Sequence, residues 1–291
     1  MPVTPVEHRF AAPAGAICWF EWGLPGEAAT LLLLHATGFH ARCWDKVVAA
    51  LPSDAHVVAL DLRGHGRSFR PDTLADWRGT ADDVVAFLDK LDRPVFAIGH
   101  SMGGCIAARL AAMRPALVTQ ALLIDPVIMP RAFYAQAAGQ LAFDPAAHPV
   151  ARRRDRWDSI EAMIERFSDR LPYSAWDSRV LDDYCRYGLV SAPDGGLELA
   201  CPALLEASAY AGSAVADPWP MLGDVGCPVV VLRARNGERA GAIDFSISPT
   251  APDLADAFAN GRDMHWPEHS HFIPMEAPER VAALIDELAK G

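Results

Sequence analysis

One five-residue pattern, in its setting, constrains this chain more than any other feature. Gly99-His100-Ser101-Met102-Gly103 fits G-x-S-x-G, and the apolar run 94–98 just before it reads as a buried strand. Residues 104–113 after it are Ala-rich and unbroken up to Arg114-Pro115, which predicts a helix that starts at once. Strand, sharp turn and helix therefore meet at Ser101. Such a turn forces strained backbone angles on the serine, and glycines at 99, 103 and 104 remove side chains that would collide there. The hydroxyl is expected to stand exposed at the end of a sheet.

The remaining chain supplies a sheet of the right kind. Apolar runs at 30–34, 56–60, 94–98 and 120–124 alternate with helical patterns at 42–51, 80–91 and 104–113, as in a mostly parallel, doubly wound sheet covered on both faces. Segments 7–11 and 17–22 are expected to pair ahead of them as a hairpin. From Met129 to about Met221 the pattern predicts no strand but several helical stretches, with aromatics that include Phe133, Tyr134, Phe143, Trp157, Phe167, Tyr173, Trp176, Tyr184, Tyr187, Tyr210 and Trp219. This reads as a helical insertion. A strand at 228–232, a helix at 251–259, a short strand at 263–266 and a closing helix at 278–289 then resume the alternation. The expected organisation is a core from 1 to 129, an inserted cap from 130 to 220, and the rest of the core from 221 to 291.

Composition narrows the function classes. With 291 residues, 51% hydrophobic and 22% charged, the chain is long enough for one large α/β domain carrying an insertion. No apolar run is long enough to span a bilayer, and the first residues show neither a secretory nor a lipidation pattern. A cytoplasmic location is the resulting expectation. A net charge of −11 argues against nucleic acid or an anionic membrane as partner, which leaves a small-molecule substrate. Six cysteines without C-x-x-C spacing or Cys/His clusters suggest reduced core thiols, with no disulfide framework and no metal site. The basic run Arg152-Arg153-Arg154 with Arg156 reads as a solvated helix face.

A serine hydroxyl is a weak nucleophile at neutral pH, so chemistry at Ser101 requires a histidine base held by a carboxylate. His271 is the best placed of ten histidines, on a loop between the last expected strand and the final helix. Ligands of open α/β sheets bind at that edge. His269 shares the loop, and His271 is preferred over it for its motif context.

At this point the chain resembles the α/β-hydrolase superfamily, nearly end to end. The resemblance is carried by His35-Ala36-Thr37-Gly38-Phe39, by Asp61-Leu62-Arg63-Gly64-His65-Gly66-Arg67-Ser68, by Gly99 to Gly104, and by His271-Phe272-Ile273-Pro274-Met275-Glu276-Ala277-Pro278-Glu279. It implies attack by Ser101 on a carbonyl with His271 as base, in the chain order serine, acid, histidine. It also implies an oxyanion hole built from the backbone N–H groups of Met102 and Thr37. Ala36 stands where relatives usually carry glycine. The segment 61–68 is expected to be a structural turn, with His65 packed rather than catalytic. Two acids fit positions used in the family: Asp125, at the end of strand 120–124, and Glu238, in the turn after strand 228–232, flanked by Arg235 and Arg239. Asp125 is preferred, with Glu238 the alternative.

Serine rather than aspartate at 101 argues against the dehalogenase and epoxide-hydrolase chemistries of the fold. The expectation is a serine hydrolase, without cofactor, that cleaves a carboxylic ester or lactone of a hydrophobic or aromatic small molecule. Two alternatives stay open: a C–C bond hydrolase of aromatic-ring catabolism, and a small-molecule receptor with vestigial activity. The cap aromatics suit a hydrophobic pocket, although each one singly is more often core than pocket lining, so none is named as substrate-binding. Arg131 and Arg152 to Arg154 are weighed as carboxylate ligands, with an exposed surface role preferred for most.

Overall fold

The computed structural model describes residues 4–137, 144–238 and 244–291. Strands β1 (Val6–Ala12) and β2 (Gly15–Trp22) form an antiparallel hairpin, and β3 (Thr30–Leu34) follows. A 3-10 turn (Ala41–Trp44) leads into helix α1 (Asp45–Ala50), then β4 (Val57–Leu60). Helix α2 (Trp77–Leu91) starts three residues ahead of the periodic pattern because Asp76 caps it, accepting the Arg78 N–H. Strand β5 (Val95–His100), helix α3 (Met102–Met113) and strand β6 (Val118–Ile124) complete this half.

The segment between β6 and β10, here the insert, carries α4 (Arg131–Ala137), β7 (Arg156–Trp157), α5 (Ile160–Ser168), α6 (Ser178–Tyr187), β8 (Leu189–Ser191), β9 (Leu197–Leu199), α7 (Ala203–Val215) and α8 (Trp219–Leu222). The large sheet then resumes with β10 (Val229–Arg233) and β11 (Gly261–His265), followed by α9 (Ile273–Glu276) and α10 (Pro278–Lys290). Its eight strands lie in the order β1-β2-β4-β3-β5-β6-β10-β11, all running the same way except β2, which is antiparallel to both its neighbours. This is the expected α/β-hydrolase architecture.

Both faces of that sheet are covered, which explains why its central strands read as continuous apolar runs. Leu32 and Leu34 of β3 join one core cluster with α2 and α3, whereas Leu31 and Leu33 join the opposite cluster with α1 and α10. Alternation along the strand sends successive side chains to the two layers. A large buried core follows, and it pins the C-terminal ends of β3, β5, β6 and β10 side by side.

Three expectations need correction. The insert is not free of strands, because β7, β9 and β8 form a small antiparallel sheet in that order. Strands of two or three residues are too short to show alternation. The turn Pro193-Asp194-Gly195-Gly196, with Gly195 at φ 92°, is the signal that marks the hairpin. Residues 251–259 form only a 3-10 turn (Leu254–Ala257) rather than a helix. Pro252 interrupts the segment, and the Ala251 N–H is tied to the Ile128 carbonyl while Leu254 and Phe258 anchor in the core. The arginine run is not a helix face either; it spans a 3-10 turn (Pro149–Arg152) and the approach to β7. Phe143 and Arg239 lie outside the described residues.

Candidate active site

The elbow is built by close approach of backbones. Ser101, between β5 and α3, is held at φ 58°, ψ −117°, a conformation that costs a non-glycine residue on the order of 1–3 kcal/mol. Its N–H donates to the Ile124 carbonyl at 3.0 Å. A Cβ at Gly103 would lie 2.2 Å from the Leu34 carbonyl oxygen, and one at Gly99 would lie 2.1 Å from that of Gly103. Only glycine fits at either position. Helix α3 can therefore press against the end of β3, and the serine is left between the sheet and a cavity.

Ser101, His271 and Asp125 form one hydrogen-bonded chain. Ser101 Oγ lies 2.9 Å from His271 Nε2, and His271 Nδ1 donates to Asp125 Oδ2 at 2.6 Å. All three are buried, Asp125 completely. The other carboxylate oxygen of Asp125 accepts from the Ala234 N–H at 2.9 Å and from the hydroxyls of Ser248 and Thr250. Both oxygens are thus engaged, so the carboxylate has one orientation, directed at the imidazole. Asp125 itself sits at φ 42°, a second strained residue at the same sheet edge.

The structure separates the two candidate acids and the two candidate histidines. Glu238 is exposed, and Arg235 beside it is turned toward the carbonyls of Pro267 and Glu268. His269 Nδ1 donates to Glu276 Oε2 at 3.0 Å, and the same carboxylate oxygen takes the Ser270 N–H at 3.1 Å. His269 and Glu276 shape the loop. His271 is what the loop delivers to the serine.

Two further histidines organise the loop that carries Thr37. His35 Nε2 accepts the Leu62 N–H at 2.9 Å, and His65 Nε2 accepts the Gly38 N–H at 3.0 Å. A backbone N–H can only donate, so each ring carries its proton on Nδ1, directed at the Ala36 and Arg63 carbonyls respectively. Burial lowers both pKa values, that of His65 to about 4. Neutral rings thereby brace the loop 35–39 against the turn 61–68, where Asp61 accepts the N–H groups of Ala41 and Arg67 at 2.8 Å each. The glycine this loop requires is Gly38, at φ 78°, rather than residue 36. Ala36 is accommodated and buried. Thr37 lines the cavity and its hydroxyl lies 3.5 Å from Met102 Sδ, which brings the two expected oxyanion residues together beside Ser101. Met102 opens α3, so its N–H is one of those a helix cannot satisfy internally.

Four residues near the triad carry no sequence signal. His100 Nε2 donates to the His271 carbonyl at 2.8 Å, and burial lowers its pKa to about 3. The Phe245 ring stacks on the His271 ring at 6.0 Å between centroids, and its carbonyl accepts the His271 N–H at 3.0 Å. Ser248 and Thr250 complete the shell of Asp125. The last three sit on irregular backbone, where no periodicity exists to mark them.

A cavity of about 570 Å³ opens over Ser101 and His271. Phe133, Tyr173, Trp176, Tyr184 and Tyr210 of the insert line it, whereas Trp157 and Phe167 pack inside the insert's own core. Arg131 lies over the Trp219 ring at 4.1 Å and Arg154 over Trp157 at 4.6 Å, while Arg152 is exposed. Arg153 is turned into the cavity, against the expectation of a solvated face. Among the described residues no helix is long and apolar enough to cross a membrane.

An eight-stranded sheet with a serine elbow and a Ser–His–Asp chain at its C-terminal edge defines the hydrolase class. The chain belongs to the α/β-hydrolase family, whose pattern it matches over residues 31–284. It is 30% identical to lipase LipV of Mycobacterium tuberculosis over 269 residues, covering 90% of this chain and 93% of that protein. It is 24% identical to (E)-2-((N-methylformamido)methylene)succinate hydrolase of Acinetobacter baylyi over 257 residues, 88% of each. Among solved structures, E-2-(acetamidomethylene)succinate hydrolase superposes with a TM-score of 0.75 at 20% identity, covering 99% of this chain and 100% of that one. The enol-lactonase of Burkholderia xenovorans LB400 gives 0.68 at 18%, covering 98% and 100%. At these identities the structural matches speak to fold alone.

Proposed function

We propose that the protein is a serine hydrolase that cleaves a carboxylic ester or lactone of a hydrophobic or aromatic small molecule through an acyl-enzyme on Ser101. The observation that carries this reading is the hydrogen-bonded chain from Ser101 through His271 to Asp125. His271 takes the Ser101 proton as the hydroxyl attacks the carbonyl, and Asp125 stabilises the imidazolium that forms. The N–H groups of Met102 and Thr37 receive the developing oxyanion, each donor lowering the barrier by about 3 kcal/mol. His271 then returns its proton to the leaving group, and the same histidine activates the water that releases the acid. No cofactor enters the sequence.

The names of relatives add support for ester chemistry. A lipase and an esterase of Mycobacterium tuberculosis are among them, and both names denote cleavage of an acyl–oxygen bond. Residues 130–220 are proposed as the cap that sets specificity, because aromatics of this segment line the cavity over the serine. The six free thiols suit a reducing compartment, and the proposal places the enzyme in the cytoplasm acting on a small molecule.

The test is steady-state hydrolysis of a p-nitrophenyl ester series from acetate upward, with wild type and Ser101→Ala side by side. Turnover by the wild type with loss of at least about 10³-fold in the variant is the expected result. Turnover that survives in Ser101→Ala, or none in either protein, overturns the assignment to ester hydrolysis on Ser101.

A further inference from the structure

The cavity wall is mostly aromatic and aliphatic, with Thr37, Gln136, His148 and Ser213 as polar members beside Ser101 and His271, and it carries the charged pair Arg153 and Glu206, which is expensive to keep there. Arg153 Nη1 donates to Glu206 Oε2, and Arg153 Nη2 donates to the Tyr184 hydroxyl at 2.8 Å. The Glu206 side chain is only 4% exposed, whereas that of Arg153 is 21% exposed and lines the same cavity as Ser101 and His271. Removing two charges from water is repaid poorly by their mutual attraction, so apolar side chains of equal volume would roof the cavity at no loss of stability. The pair is not needed for packing.

Its geometry is that of an anion receptor held ready. A guanidinium has five N–H donors, and the two partners named take two of them. Among the described residues no other acceptor engages the Arg153 guanidinium, and the side chain lines the cavity. Glu206 reaches the oxyanion side as well: a Cβ on Gly38 would lie 2.5 Å from Glu206 Oε1. The pair therefore stands on the same wall of the cavity as the loop that carries Thr37. Tyr184, which receives the second Arg153 bond, is packed against Phe39, Tyr173 and Trp176, so the fork is clamped before any ligand arrives.

We propose that Arg153 binds a carboxylate of the substrate remote from the bond cleaved, so that the substrate class is an acid monoester or carboxylated lactone rather than a neutral lipid. Glu206 holds the guanidinium in place, and the incoming carboxylate shares it, since a planar fork presents separate edges to two carboxylates. The assignment of the bond cleaved rests on the hydrolase reading above. Binding of the anion at Arg153 does not.

The experiment is accordingly a binding measurement that needs no turnover. Ser101→Ala and Ser101→Ala/Arg153→Gln are titrated calorimetrically with monoethyl esters of the dicarboxylic acids from succinate to suberate, and with neutral ethyl esters of equal chain length. The expected result is at least tenfold tighter binding of one or more acid esters by Ser101→Ala, with that ratio falling to about one when Arg153 is replaced. No preference at any chain length, or a preference that survives the Arg153 change, overturns the proposal. Should the double variant fail to fold, Glu206→Gln decides the matter by its melting temperature. Its bared arginine should melt lower than wild type and recover with an acid monoester but not with a neutral ester; absence of that difference overturns the proposal. Loss of ester turnover in wild type with the binding preference intact would instead count against the hydrolase reading alone.

Discussion

The elbow between β5 and α3 and the insert between β6 and β10 both bury apolar chain, but they do so against different things. At the elbow the contacts are backbone on backbone: Gly103 faces the Leu34 carbonyl and Gly99 faces that of Gly103. In the insert they are side chain on side chain, as where the Phe167 and Tyr173 rings stack at 4.2 Å between centroids. A backbone cannot move without breaking the sheet ladder, whereas a ring turns or slides at modest cost. The position of the serine is therefore rigidly specified, and the roof over it is adjustable.

The comparison can be broken most directly at the acid. Asp125→Asn should lower kcat by about 10³–10⁴-fold, because the amide no longer holds the imidazole in the tautomer that accepts the serine proton. Glu238→Gln, on the exposed turn, should stay within about twofold when the same ester is assayed. A larger loss in Glu238→Gln than in Asp125→Asn would move the acid out of the sheet edge. On stability, Gly103→Ala should cost about 3 kcal/mol or more, since the new methyl meets an immovable carbonyl, whereas Phe167→Leu, at a half-buried ring of the insert, should cost about 1 kcal/mol as its neighbours repack. Urea unfolding of the two variants checks this, and equal costs would remove the distinction between the regions.

A smaller effect sharpens the picture at His100. Burial lowers its pKa from 6.5 to about 3, so between those values the unfolded chain binds a proton that the folded chain does not. Its contribution to stability is complete above pH 6.5 and is lost as pH falls toward 3. His100→Gln keeps an N–H for the His271 carbonyl without titrating. Its stability, followed by urea unfolding from pH 6 to pH 4, should decline less steeply than that of wild type by about 1.4 kcal/mol per pH unit. An unchanged slope would mean that His100 is charged or solvated.

Much of the large sheet was readable because its signals are local. Continuous apolar runs mark β3, β4, β5 and β6, and the glycine spacing around Ser101 marks the elbow. His271 was readable from its place after the last strand. The insert was less so: its hairpin strands are three residues long, and its arginine run looks solvated by composition alone. Arg153 differs from Arg152 and Arg154 only in what surrounds it after folding. Between Asp125 and Glu238 the sequence supports only a preference for Asp125, since both follow a strand of the sheet.

By itself, then, the order of residues determined the sheet, the strained serine turn and the loop that carries His271, because each follows from backbone sterics and periodicity over a few neighbours. Only the tertiary structure decided that Asp125 meets His271, that Ser248 and Thr250 hold Asp125, and that Arg153 faces the cavity. Those contacts join residues from 53 to 146 positions apart. No local preference encodes such a distance, and it closes only when the strands stack in their final order.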